Sequence, residues 1–128
     1  MPYELSTFTL PCGTRAARVD FTGSLTGEEA TGLMKNWEVG QPLYGLPTLV
    51  QTQEMKEMAP GARAVFGGWK ETGPYEWYAI VINNPVIRVS ANFIMRVSRT
   101  TRRRLFTSEA EAVQWLDEKI RQSAAPAG

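Results

Sequence analysis

The chain's 128 residues suit a single domain, long enough to bury about two-thirds of the surface its unfolded form would expose. Fourteen Lys and Arg balance 13 Asp and Glu, so the composition argues against nucleic acid as a partner. With no His and one cysteine, Cys12, the chain offers no zinc site, no imidazole base and no internal disulfide, and neither a catalytic residue nor a cofactor is expected.

Residues 3–10 alternate partly, with Leu5, Phe8 and Leu10 apolar, and residues 17–21 place Ala17, Val19 and Phe21 on one side. Joined through Pro11-Cys12-Gly13, they predict a hairpin of two short strands, the first at a sheet edge. Thr26-Gly27-Glu28-Glu29 has the Thr-x-x-Glu spacing of a capping box, with Ala30, Leu33, Met34 and Trp37 following at helical intervals. The adjacent Glu28 and Glu29 belong to that helix start, where negative charge is favourable, and do not form a catalytic pair. The helix breaks over residues 40–45. Leu46-Pro47-Thr48-Leu49-Val50 then reads as a short central strand with Pro47 at its beginning, and residues 51–58 as a polar connection.

Pro60 suits a helix start, followed by Ala62, Val65, Phe66 and Trp69; Gly67-Gly68 closes this helix and does not open a phosphate-binding loop. Residues 75–82 are aromatic and β-branched, the pattern of a central strand. Residues 102–106 predict a last short strand, and Ser108-Glu109-Ala110-Glu111 a second capping box before Ala112, Val113, Leu116 and Ile120. Trp37, Trp69 and Trp115 fall on or beside the apolar stripes of their helices and are expected in or near the core. Residues 1–122 are read as one domain and 123–128 as a flexible tail. The start lacks a charged segment leading into an apolar run, and no stretch approaches the roughly 20 apolar residues of a membrane span, so a cytoplasmic location is expected.

The helix expected over residues 84–99 is the unusual element. Asn84 can cap it and Pro85 fits its first position. Val86, Val89, Phe93 and Val97 make one apolar stripe; Ile87, Ala91, Ile94 and Met95 make a second. The first stripe is expected on the sheet and the second toward a partner, although packing on two sides within the domain would also give so wide an apolar arc. Arg88, Arg96, Arg99, Arg102, Arg103 and Arg104 fall within the same stretch with no acid among them, a local charge of plus six. The candidate partner- or ligand-binding set is therefore Ile87, Arg88, Ala91, Ile94, Met95, Arg96, Arg99, Arg102, Arg103 and Arg104. An anionic partner would be drawn to such a segment.

The element order, β-β-α-β-α-β-α-β-α, gives an α/β fold: a single mixed, mostly parallel sheet with an N-terminal hairpin and about four helices. Asp20-Phe21-Thr22-Gly23 with Leu25-Thr26, Leu46-Pro47-Thr48-Leu49-Val50, Pro85-Val86, Ala91-Asn92-Phe93, and Leu105-Phe106-Thr107-Ser108-Glu109-Ala110-Glu111-Ala112 with Trp115-Leu116 together resemble the bacterial SpoIIAA-like branch of the STAS superfamily (sulfate transporter and anti-sigma factor antagonist), which is also grouped with lipid-binding CRAL-TRIO-like domains. That resemblance implies a compact domain without enzymatic activity. Family members that antagonise anti-sigma factors carry a phosphorylatable Ser in an Asp-x-Ser-like motif after the third strand. The matching residues 51–58 contain neither Asp nor Ser, and Thr52, the nearest hydroxyl, reads as a turn or cap residue. The expectation is a regulatory or scaffolding module that binds another protein, or itself, through the 84–99 helix. The alternative is a carrier or sensor of a lipid or other apolar or anionic small molecule, at the membrane surface or in a cleft.

Overall fold

The computed structural model describes residues 2–70, 75–98 and 101–124. In chain order these form β1 (Tyr3–Thr9), β2 (Arg15–Leu25), α1 (Gly27–Met34) with a 3₁₀ turn at Lys35–Trp37, β3 (Thr48–Met58), α2 (Pro60–Gly68), β4 (Tyr78–Val81), α3 (Pro85–Ser98), β5 (Arg103–Phe106) and α4 (Glu109–Ala124). Of the expected tail, Ser123 and Ala124 close α4, and residues 125–128 lie outside the described residues.

The five strands lie in sequence order, β1-β2-β3-β4-β5. β1 runs antiparallel to β2, as a hairpin must, and the remaining pairs are parallel. Right-handed crossovers that all step the same way along a sheet put their helices on one face. Accordingly α1, α2 and α3 share a face, over a core of Val19, Phe21, Leu33, Trp37, Met55, Ile82 and Ile87. α4, which follows the last strand, covers the other face with Trp115, Leu116 and Ile120 against Ala16, Leu49, Ala79 and Val81. This is the mixed α/β sheet with four helices that the sequence predicts.

Both expected capping boxes fall at helix starts. Thr26 Oγ1 accepts from the Glu29 amide at 3.2 Å while Glu29 Oε1 accepts from the Thr26 amide at 2.9 Å. At α4 the Ser108 hydroxyl accepts from the Glu111 amide at 3.4 Å. Trp37 and Trp115 are buried, and Trp69 is half-buried at the end of α2, packed against the α1–α3 core.

Three strands differ from expectation. β2 runs over Arg15–Leu25, 11 residues, well past both ends of the short strand expected over residues 17–21. β3 continues through Met58, so residues 51–58 are strand and not connection. Beyond Gln51 this strand pairs only with β2, and β4 stops alongside Gln51. A strand with one free edge keeps few residues inside, here Thr52 and Met55, which is why its sequence is polar. β4 is confined to Tyr78–Val81, shorter than the apolar run suggests.

A contact the sequence does not announce ties α4 to the hairpin. Asp117 Oδ1 accepts from the Cys12 amide at 2.8 Å, and Asp117 Oδ2 from Arg121 Nε at 2.7 Å. Arg121 foremost, with the Cys12 amide, holds the Asp117 carboxyl below its usual range. A depressed carboxyl pKa in the folded state means stability that is present above about pH 4 and lost as pH falls through the folded value. Asp117→Asn should therefore lower the melting temperature by a few degrees at pH 7, with the difference from wild type shrinking below about pH 4; thermal melts across that range check this.

Candidate docking surface on α3

α3 begins where the chain leaves β4. The Asn84 carbonyl oxygen of the side chain accepts from the Val86 amide at 2.9 Å, and its side-chain amide donates to the Met55 carbonyl at 3.4 Å. The cap is thus anchored to β3, and this short connection fixes the rotational phase of the helix. Ile87, Ser90, Ala91 and Ile94 face inward. Ile87 is 1% exposed and Ile94 is 6%.

That phase reverses the expected roles of the two stripes. Val86, Val89, Phe93 and Val97 are 62%, 68%, 45% and 48% exposed. The stripe expected to meet a partner is the one in the core, and the stripe expected on the sheet is the one facing solvent. The reason is packing as well as phase: Ser90 and Ala91, small side chains on the inward face, let the helix lie close to its neighbours, whereas Phe93 and three valines on that side would hold it off.

The arginines do not form one patch. A strand sends successive side chains to opposite faces. Arg103 points into the α1–α3 side, is buried, and donates to the carbonyls of Phe66 at 2.6 Å and Trp69 at 2.7 Å, closing the end of α2. Arg102 and Arg104 lie on the α4 side, over the rings of Trp77 at 5.2 Å and Phe106 at 5.5 Å. Arg88 is half-buried and donates to the Ile82 carbonyl at 3.3 Å. Arg96 is exposed on α3, and Arg99 lies outside the described residues. Among the described members of the candidate set, only Arg96 sits beside the exposed stripe. Thr52 is buried with its hydroxyl donating to the Val81 carbonyl at 2.7 Å, a link between β3 and β4 and not a surface hydroxyl.

Two neighbours from α2 complete the surface. The Arg63 guanidinium lies over the Phe93 ring at 5.7 Å. Gly67 lies so close to α3 that a Cβ there would come within 2.6 Å of Val97 Cγ2, so any larger residue would require Val97 to shift. The exposed positions of α2 are Pro60, Gly61, Ala64 and Gly68, all small. The result is a ridge of Val86, Val89, Phe93 and Val97 standing beside a low helix, about 16 Å long at 1.5 Å per residue.

Beneath α3 lies a cavity of about 80 Å³, lined by Phe21, Trp37, Ile80, Ile87, Ala91 and Ile94 among others. Small-molecule pockets typically offer about 300–1,000 Å³. At about 80 Å³ this one falls well below that range. Ala91 and Met95, named for a ligand or partner, line this space, Ala91 buried and Met95 half-buried.

A further cluster that sequence reading does not reveal joins β2, β3 and the first turn of α4: Arg18 pairs with Asp20 at 2.9 Å and with Glu109 at 2.9 Å, and Gln51 donates to Glu109 at 3.3 Å. Asp20 foremost, then Glu109, pushes the Arg18 pKa up, so the guanidinium is charged throughout. With every member satisfied, the cluster is a brace. Among the described residues, no helix is long and apolar enough to cross a membrane.

The fold places the chain among known structures. It is similar to an uncharacterized protein from the DUF3478 family with a SpoIIAA-like fold, from Shewanella loihica PV-4, with a TM-score of 0.57 and 15% identity over 89% of this chain and 94% of that one. The fold is therefore SpoIIAA-like, as the sequence resemblance implied. No curated protein matches the chain. A family model described as a domain of unknown function, DUF7793, matches residues 30–120, from within α1 to within α4, and the chain belongs to that family.

Proposed function

We propose that this domain is a non-catalytic interaction module of SpoIIAA type that binds another protein through the outward stripe of α3. The observation that carries this reading is Val86, Val89, Phe93 and Val97 standing exposed in a row on one helix. Exposed helix positions are best filled by Ala, Glu, Lys or Gln, and β-branched residues there lower helix propensity by about half a kcal/mol each. The stripe thus works against the stability of the isolated domain, twice over, by propensity and by apolar area left in water. A partner that covers it removes the second cost.

The absence of His, the lone Cys12 and the lack of a phosphate loop support the non-catalytic reading. The small cavity favours protein binding over an acyl-chain carrier.

The paired variant Val89→Asp/Phe93→Asp tests this. Both positions are solvent-facing, so the melting temperature should stay within a few degrees of wild type. A partner recovered with wild type by affinity purification and quantitative mass spectrometry should be depleted at least tenfold with the variant, since central apolar anchors each contribute about 2 kcal/mol or more. Equal recovery of every associated protein by both forms would refute the reading.

A further inference from the structure

The chemistry of that partner follows from what borders the stripe, provided the α3 docking reading holds. On the α2 side stands Arg63, over the Phe93 ring, its Nε buried and without a hydrogen-bond partner. On the other side, one turn along from Phe93, stands the exposed Arg96. Neither α2 nor α3 contains a single Asp or Glu. With no acid on either helix, the charge of Arg63 and Arg96 is unbalanced at this surface, and a guanidinium takes a carboxylate with two parallel hydrogen bonds.

The same charges speak against a second copy as the occupant. In a two-fold dimer the surface meets itself, which brings Arg63 and Arg96 of one chain toward those of the other with no acid on either helix to separate them. The shape selects the form of the partner. A ridge three turns long beside a helix of small exposed residues makes a shallow trough, and a helix laid in a trough presents anchors at i, i+3 or i+4, i+7 and i+11.

We propose that α3 and α2 together receive an amphipathic helix of another protein whose apolar stripe is bordered by Asp or Glu, with carboxylates meeting Arg63 on one side and Arg96 on the other. Charge at these rims sets which partner is accepted more than how tightly it binds.

The test is a displayed library of helical peptides with Leu fixed at the anchor positions and the bordering positions free to be Glu, Gln or Lys, selected on the full chain and counter-selected on Phe93→Asp. Glu should be enriched over Lys at least tenfold at the borders. Arg96→Glu, an exposed change that leaves the melt unaltered, should reverse the preference on its side. Selection of Lys, or no charge preference among Phe93-dependent binders, would overturn the acidic partner and leave the α3 docking reading standing. Absence of any Phe93-dependent binder would overturn both. Phe93-dependent co-sedimentation with phosphatidylglycerol vesicles without peptide selection, or a Phe93-dependent dimer in sedimentation velocity, would overturn the proposal in favour of a membrane or a second copy.

Discussion

Ile87→Asp is expected to unfold the domain. Ile87 lies 1% exposed between α3 and the sheet, among Phe21, Trp37 and Ile82. The substitution removes about 2–3 kcal/mol of side-chain burial and places a carboxylate where nothing pairs with it, at a further cost of several kcal/mol. A domain of this size has about 5–15 kcal/mol in total, so the sum approaches or exceeds what is available. Circular dichroism should show loss of the cooperative melt, while Phe93→Asp, on the exposed side, should melt with wild type. A folded Ile87→Asp beside an unfolded Phe93→Asp would mean that α3 is rotated by about a third of a turn from the orientation described.

Trp37→Ala is expected to be the most damaging truncation on the α1 side. Its ring is fully buried, tilted against Tyr78 at 6.3 Å between ring centroids, and its indole N–H donates to Thr48 Oγ1 at 2.9 Å. Loss of a buried Trp typically costs about 3–5 kcal/mol, and Trp37 lines the cavity beneath α3, so its truncation enlarges a space that is already there. The melting temperature should fall by about 10 °C or more. Trp37→Phe keeps most of the ring and loses the hydrogen bond, so it should cost about 1–2 kcal/mol. If Trp37→Ala melted with wild type, the core at the end of α1 would not be packed as described.

The sequence was legible where a local signal had a single structural meaning. Thr26 and Glu29 at capping-box spacing, Pro85 after Asn84, and Pro11-Cys12-Gly13 between alternating runs each mark one kind of boundary, and the structure has those boundaries. β3 beyond Gln51 was illegible because only Thr52 and Met55 face inward there, too few to show an alternation. The phase of α3 was illegible for the opposite reason. Both of its long sides are apolar, and hydrophobicity cannot say which one is inside; the Asn84 link to Met55 and the small residues Ser90 and Ala91 decide it. The division of the arginines was implicit in the strand assignment for residues 102–106, since a period of two separates Arg103 from Arg102 and Arg104. Charge counted along the chain hid it. Arg63, which completes the docking surface, gives no signal in sequence, for it stands 30 residues from the Phe93 ring it covers.

Photo-crosslinking from single positions tests the docking surface most directly. A benzophenone side chain at Val89 or Phe93, activated in cells that express the protein, should give a discrete adduct of one partner; the same group at the exposed Gln114 on α4 should give none. Adducts from Gln114 that match those from α3, or no adduct at Val89 and Phe93, would contradict the assignment of the α3 stripe as the surface through which this domain acts.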